Sequence, residues 1–266
     1  MIDFAINIEP LYPGMDICEK IRRVGKAGFR AVEFWGWDGR DVAKIRQTCE
    51  ESGVSVRAFS ATGAWSLCDR ARRREYIEWV KRSIQTAKAL NCNTLILFPN
   101  HFTASGCADF REVYSREGML ANITATLTQL APILEENGMT ALLEPLNDLG
   151  ADAGMSLTRT DVGAQIVRAV GSPSIKLLCD VYHMQVMHGN LLQNLMRNLD
   201  IVPYIHIADA PDRHEPGTGE INFDFLCAEL KEAEFDGTIC FEYFPQGETE
   251  EGFDSLKALI RSMEAG

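Results

Sequence analysis

The chain has 266 residues, 46% hydrophobic and 24% charged, which is typical of a globular protein with a large core. Its formal net charge of -12 disfavours a nucleic-acid backbone as the main partner. No apolar run approaches the roughly 20 residues that span a bilayer, and the N-terminus lacks the basic and apolar regions of a secretory signal. We therefore predict a cytoplasmic protein without nucleic-acid or membrane partners.

Eight cysteines are scattered along the chain without a C-x-x-C pair, so a zinc–thiolate site lacks the spacing it needs. Several lie in apolar runs, as Cys179 and Cys240 do. This pattern is typical of buried, reduced thiols in an intracellular protein.

Apolar strand-like runs alternate with helix-like segments from one end of the chain to the other. An early helical segment carries Ile17, Ile21 and Val24 at helical spacing. The predicted strands lie near Asp3–Ile8, Ala31–Trp35, Ser55–Ser60, Thr94–Phe98, Thr140–Pro145, Ile175–Asp180, Tyr204–Ala208 and Thr238–Tyr243.

Eight such units in about 250 residues predict an α/β fold, a closed (β/α)8 TIM barrel. A doubly wound open sheet is the alternative, but NIEPLYPGMD supplies no glycine fingerprint after the first strand. With no linker and no sharp shift in composition, residues 1–266 are predicted to form one barrel domain.

Four of the predicted strands end in a side chain that can bind a metal. They are TALLEPLN, IKLLCDVYH, VPYIHIADA and GTICFEYFP, which carry Glu144, Asp180, His206 and Glu242. In a barrel these positions lie at the C-terminal face, where the longest predicted loops also gather and active sites are built. Three carboxylates and one imidazole could close around a single divalent cation.

Each of these residues also has a structural interpretation. His206 alone would be a core histidine bonded to backbone, but three carboxylates nearby favour a ligand. Glu242 lies in the apolar run C-F-E-Y-F, where an unpaired charge would cost several kcal/mol. His183 follows Asp180 by three residues, a spacing that lets both enter one cavity, although a polar contact at a helix N-terminus is the alternative.

The segments ALLEPLN, CDVYHMQVMHG, HIADAPDRHEPGTGEINFDFL and ICFEYFPQ resemble those of the hydroxypyruvate isomerase family. That family belongs to the xylose-isomerase-like sugar isomerase and epimerase barrels. The likeness begins at GFRAVEFW and is most specific in R-H-E-P-G-T-G-E-I-N, which starts at Arg213.

This resemblance implies that Glu144 and Glu242 are catalytic acid/base groups as well as metal ligands, with Asp180 and His206 completing the site. It also implies that His183 and Arg213 bind substrate. His206 stands where some close relatives carry glutamine and where ketose 3-epimerases carry histidine. The loop after the third predicted strand also looks shorter than in those isomerases.

The expected reaction moves a carbonyl group by one carbon through an enediolate. Two carboxylates on opposite sides of the substrate act as base and acid, and a divalent cation (Mg²⁺, Mn²⁺ or Co²⁺) stabilises the negative charge. We expect a metal-assisted isomerase of a small hydroxy-oxo acid, either hydroxypyruvate going to tartronate semialdehyde or a 2-oxo-tetronate. The Arg213 guanidinium suits a substrate carboxylate, although a salt bridge to Asp212 or Glu215 is its alternative role.

Three other functions could use such a barrel. A ketose 3-epimerase of the tagatose or psicose type would use the same machinery, and a non-catalytic sugar-acid-binding barrel would be expected to lose Glu144 or Glu242. An apurinic endonuclease would need histidines on the third and fourth strands, where only His101 is a candidate. Assembly as a homo-oligomer is left open by the sequence.

Overall fold

The computed structural model describes residues 2–264, in which eight parallel strands close into a barrel. The strands of these residues are β1 (Asp3–Asn7), β2 (Ala31–Phe34), β3 (Ser55–Ser60), β4 (Thr94–Leu97), β5 (Phe102–Thr103), β6 (Gly106–Cys107), β7 (Thr140–Leu143), β8 (Ile175–Asp180), β9 (Tyr204–Ile207) and β10 (Thr238–Phe241). All but β5 and β6 belong to the barrel, which closes where β1 pairs with β10. The predicted (β/α)8 TIM barrel is confirmed, with a barrel strand at each predicted position.

Helices surround the barrel. Within the described residues they are α1 (Ile17–Lys26), α2 (Val42–Ser52), α3 (Arg73–Ala89), α4 (Arg116–Glu136), α5 (Thr160–Val170), α6 (Val181–Met187), α7 (Leu191–Met196), α8 (Phe223–Glu232) and α9 (Phe253–Glu264). Asp16 caps α1 by accepting a hydrogen bond from the Cys18 N–H, and Ile21 and Val24 bury one face of that helix. None of the helices in residues 2–264 is long and apolar enough to cross a membrane.

The inside of the barrel is filled by one layer of apolar side chains, one from each barrel strand. They are Ala5, Ala31, Ala58, Ile96, Leu142, Leu178, Tyr204 and Cys240. Alanines on β1, β2 and β3 leave room for the larger side chains of the other strands, so this level is a packed core and not a pore. A second apolar core lies between the strands and the helices.

The layer above this core determines where the functional groups lie. Side chains alternate between the two faces of a strand, so a residue two positions after a core residue also faces inward. Applied to all eight strands, this step gives Asn7, Glu33, Ser60, Phe98, Glu144, Asp180, His206 and Glu242. The barrel therefore carries a mostly polar layer at its C-terminal end.

A short hairpin, not predicted from the sequence, interrupts the connection between β4 and α4. Strands β5 and β6 have two residues each and pair antiparallel, which is too short for an alternating pattern to reveal. The Ala108 N–H donates to the His101 carbonyl oxygen and extends the pairing.

All eight cysteines of the chain are free thiols, and seven of them are buried.

Candidate active site and metal centre

The strands place the four predicted metal ligands on adjacent positions of the barrel wall. Asp180 ends β8, His206 lies within β9, and Glu144 and Glu242 directly follow β7 and β10. The Glu144 N–H still donates to the Leu97 carbonyl oxygen, so this residue keeps its place at the strand end. All four side chains are buried.

The four side chains converge on one point. The Nδ1 atom of His206 lies 3.3 Å from Glu144 Oε1, 3.1 Å from Glu242 Oε2 and 3.8 Å from Asp180 Oδ2. One nitrogen or oxygen atom from each residue lies within 4.8 Å of those of the other three. The structure thus brings together all four residues that the sequence singled out as ligands.

These residues fit a divalent cation because several of their facing atoms lack hydrogen-bond partners. Both carboxylate oxygens of Glu144 and the Nδ1 atom of His206 are buried without a hydrogen bond in the part of the chain that the structure describes. Burial raises the pKa of Glu144 to about 8, although His206 works in the opposite direction. A cation among three carboxylates and one imidazole would satisfy these atoms, and this donor set suits Mg²⁺, Mn²⁺ or Co²⁺.

Two cationic groups, Arg213 and His206, and the carboxylates around them shift the pKa values of one another. Burial alone would raise the pKa of Glu242, but the Arg213 guanidinium and the His206 imidazole outweigh it and hold that pKa well below its usual range. Burial would likewise lower the pKa of His206, yet Glu33 and the other carboxylates raise it well above its usual value. The cluster therefore favours an ionised Glu242.

Arg213 lies inside the cluster and not on the loop surface. Its Nη2 atom donates to Asp180 Oδ2 at 3.0 Å and to Glu242 Oε2 at 2.6 Å, and its guanidinium stacks over the Tyr182 ring. Neither Asp212 nor Glu215 is its salt-bridge partner among the described residues. Its Nε atom is buried without a hydrogen bond.

The loop that carries Arg213 is held by a buried carboxylate that the sequence did not single out. Asp209 accepts hydrogen bonds from four backbone N–H groups, those of Ala210, Gly217, Gly219 and Ile221. A Cβ atom on Gly219 would lie 1.9 Å from the Ala210 carbonyl oxygen, so only glycine fits there. The GTGEIN segment thus serves loop closure around Asp209.

His183 projects from the first turn of α6, which Asp180 caps through the His183 N–H. Its Nδ1 atom lies 2.8 Å from Asn147 Nδ2, an amide nitrogen that can only donate. Burial lowers the pKa of His183 to about 4, so the ring is neutral and its hydrogen is on Nε2. That Nε2 atom has no hydrogen-bond partner in the described structure, which leaves it available to a ligand.

A cavity of about 710 Å³ opens above the cluster. Glu144, Arg213 and Glu242 lie at its base, while Trp35, Phe98, Phe102, Leu149 and Phe244 supply apolar walls. Trp35 also donates from Nε1 to Glu242 Oε1 at 2.6 Å, whereas Trp65 packs against Trp79 and is not part of the cavity wall.

The barrel and its site match a known protein family. The model of the xylose isomerase-like TIM barrel family matches residues 21–259. The chain belongs to this family. A crystal structure described as an AP endonuclease of family 2 from Brucella melitensis superposes with a TM-score of 0.87 and 26% identity, covering 97% of this chain and 99% of that one.

Relatives with full-length similarity are named as isomerases. The chain is 32% identical over 274 residues to a Danio rerio protein that is provisionally named hydroxypyruvate isomerase, covering 100% of this chain and 98% of that protein. Identity is 28% over 259 residues to the hydroxypyruvate isomerase of Escherichia coli (strain K12), with 95% and 97% covered. It is 28% over 264 residues to the 2-oxo-tetronate isomerase of Cupriavidus necator, with 97% and 98% covered. The predicted family and the isomerase class are confirmed.

We expect Asp209→Asn to lower the free energy of unfolding by roughly 1–3 kcal/mol, because an amide NH₂ would face backbone N–H donors. Denaturant unfolding measures this change. Asp212→Asn is the matched control on the same loop, since Asp212 is exposed, and should stay within about 0.5 kcal/mol of the parent. Equal effects of the two substitutions would contradict the role of Asp209.

Proposed function

We propose that the protein is a metal-assisted isomerase of a small hydroxy-oxo acid, either hydroxypyruvate, which it would convert to tartronate semialdehyde, or a 2-oxo-tetronate. One observation carries the proposal: two buried carboxylates, Glu144 and Glu242, lie on either side of His206 at the base of a cavity that also holds Arg213. The names of the full-length relatives support the same substrates.

Glu144 and Glu242 are the proposed proton-transfer groups. Moving a carbonyl group by one carbon requires a base that removes a proton from the neighbouring carbon and an acid that returns one. Glu242 is prepared for this role because Asn7 and Trp35 donate to its Oε1 atom and Arg213 donates to Oε2, which fixes the carboxylate in place. Glu144 has no such donors, so its two oxygens remain free.

Glu144, Asp180, His206 and Glu242 are the residues proposed to hold one divalent cation. Such an ion would act as a Lewis acid that stabilises the negative charge of the enediolate on the substrate oxygens. Among the chain's own groups, the His183 Nε2–H could donate to a hydroxyl or carbonyl oxygen, and the free Nε–H of Arg213 could donate to a carboxylate.

A ketose 3-epimerase is the second candidate, and specific observations favour it. His206 is an imidazole where some isomerases carry an amide. The Nη2 atom of Arg213 already binds Asp180 and Glu242, so less of the guanidinium is free for a substrate carboxylate. The cavity of about 710 Å³ also has room for a sugar longer than a three-carbon acid. The same two carboxylates would then return the proton to the carbon from which it came.

Two other functions have less support. An apurinic endonuclease needs further metal-binding histidines, but β3 ends in Phe59 and Ser60, and the His101 ring contacts the hydroxyl of Ser66. A non-catalytic binding barrel has no need of the paired carboxylates. Beyond the site, we propose a cytoplasmic protein with one domain over residues 1–266, and homo-oligomerisation is left open.

Amide substitution of the two carboxylates tests their role in proton transfer. Glu144→Gln and Glu242→Gln should each lower kcat by roughly 10²–10⁴, because an amide keeps the shape of the carboxylate but cannot act as a base. The rates should be measured at saturating Mn²⁺, with bound metal quantified for each variant, so that loss of the cation is separated from loss of the base.

Glu112→Gln controls for the loss of one negative charge, since Glu112 is exposed on a loop away from the cavity. It should retain the parent rate within about twofold. If Glu144→Gln or Glu242→Gln remained near-normal on the best substrate at full metal occupancy, the two-carboxylate mechanism would be refuted.

A panel of hydroxypyruvate, 2-oxo-tetronates and free ketoses tests the substrate class. Arg213→Lys keeps the charge but loses the planar fork, so we expect kcat/KM for the acids to fall at least about tenfold. Free ketoses have no carboxylate and should be much less affected. A parent enzyme that prefers a free ketose, together with unchanged acid turnover in Arg213→Lys, would identify an epimerase instead.

A further inference from the structure

We propose that Glu33 is a positioning residue for the metal centre, because it fixes the His206 ring so that Nδ1 is the nitrogen that binds the cation. This inference rests on the metal site of the proposed function. Glu33 lies in β2, whereas the four ligands lie on or directly after β7, β8, β9 and β10. Its side chain is buried in the polar layer.

Three groups hold the Glu33 carboxylate. Asn7 Nδ2 donates to Oε1 at 2.7 Å, and Tyr204 Oη donates to Oε2 at 2.7 Å. The third contact is that of His206 Nε2 with Oε2 at 3.0 Å. The carboxylate is therefore fully hydrogen-bonded on both oxygens, and none of these partners is a lysine or an arginine.

This arrangement favours one nitrogen of His206 as the metal ligand. The Glu33 Oε2 atom, which accepts from Tyr204, also accepts from the His206 ring when a hydrogen is on Nε2. A cation would then replace the hydrogen on Nδ1, the atom that faces Glu144, Asp180 and Glu242, and Nε2 would keep its own. A carboxylate behind a metal-binding histidine orients the ring and increases its basicity in the same way.

Asn7 links this support to a second ligand. Its Nδ2 atom also donates to Glu242 Oε1 at 2.8 Å, while its Oδ1 atom accepts from the Glu9 N–H and fixes the direction of the amide. With Trp35 bonded to the same Oε1 atom, Glu242 presents Oε2 to His206 Nδ1. One amide therefore aligns both His206, through Glu33, and Glu242.

A cation held by Glu33 itself is the competing interpretation. Glu33, His206 and Cys240 also offer atoms within 4.8 Å of one another. The existing bonds of Glu33 to Asn7 and Tyr204 argue against it, because a second ion would have to displace them. A stoichiometry of two cations per chain would overturn the proposal in favour of this second site.

The central experiment is a double-mutant cycle in metal affinity, measured by calorimetric titration with Mn²⁺ and without substrate. Glu33→Gln should weaken binding by about 10–100-fold, the usual effect of removing such a partner. In the His206→Gln background the same substitution should change affinity by less than about threefold, because no ring remains to be held. An equal loss in both backgrounds would show that Glu33 does not act through His206.

A spectroscopic measurement on the parent protein keeps the test independent of the stability of the Glu33→Gln variant. Nitrogen NMR of the Zn²⁺-loaded chain reports each of its five histidines, and the signal absent in His206→Gln identifies that ring. We expect the His206 hydrogen on Nε2 and the metal on Nδ1. The opposite assignment would overturn the proposal even if Glu33→Gln failed to fold.

Glu112→Gln is the charge-matched control and should leave Mn²⁺ affinity within about twofold. The outcomes distinguish the role of Glu33 from the metal site itself. A parent protein that binds one Mn²⁺, with Glu33→Gln equal to the parent, refutes the role of Glu33 alone. A parent protein that binds no cation refutes the metal site of the proposed function and this inference together.

Discussion

Three buried carboxylates that converge on one imidazole are the constraint on which the rest of the site depends. Glu144, Asp180 and Glu242 approach His206 Nδ1 within 3.1–3.8 Å, where unbalanced negative charge would cost several kcal/mol. Arg213 offsets part of that charge through Asp180 and Glu242, but Glu144 has no donor of its own. The cluster could hold a divalent cation, which would balance the remaining charge.

The surrounding structure keeps these groups in place through neutral hydrogen-bond donors and backbone groups. The Asn7 amide and the Trp35 indole hold Glu242, the Asn147 amide holds His183, and backbone N–H groups around Asp209 hold the loop of Arg213. Donors of this kind restrict a carboxylate or an imidazole without adding charge. Among the described residues, the positive charge that acts on Glu242 therefore comes from Arg213 and His206.

Much of this arrangement was predictable from the strands. Apolar runs predicted the eight strands, and the polar residues at four strand ends predicted His206 and the three carboxylates that meet at its Nδ1 atom. A strand also has a period of two residues. The same step of two from the inner core layer leads to Asn7 and Glu33, and the argument that a buried Glu242 needs a partner applies equally to Glu33. The partners of Arg213 and the backbone contacts of Asp209 were not predictable, since loop conformation has no such period. The β5–β6 hairpin was missed for a related reason, because its strands are too short to show alternation.

Anomalous diffraction from crystals of the parent protein soaked in Mn²⁺ tests the central claim most directly. The account predicts a single strong peak at about 2.0–2.6 Å from His206 Nδ1 and from carboxylate oxygens of Glu144, Asp180 and Glu242. It also predicts unbroken contacts of Glu33 with His206 Nε2 and Tyr204 beneath that peak. A peak outside this cluster, or no peak at a concentration that saturates binding in solution, would contradict the account.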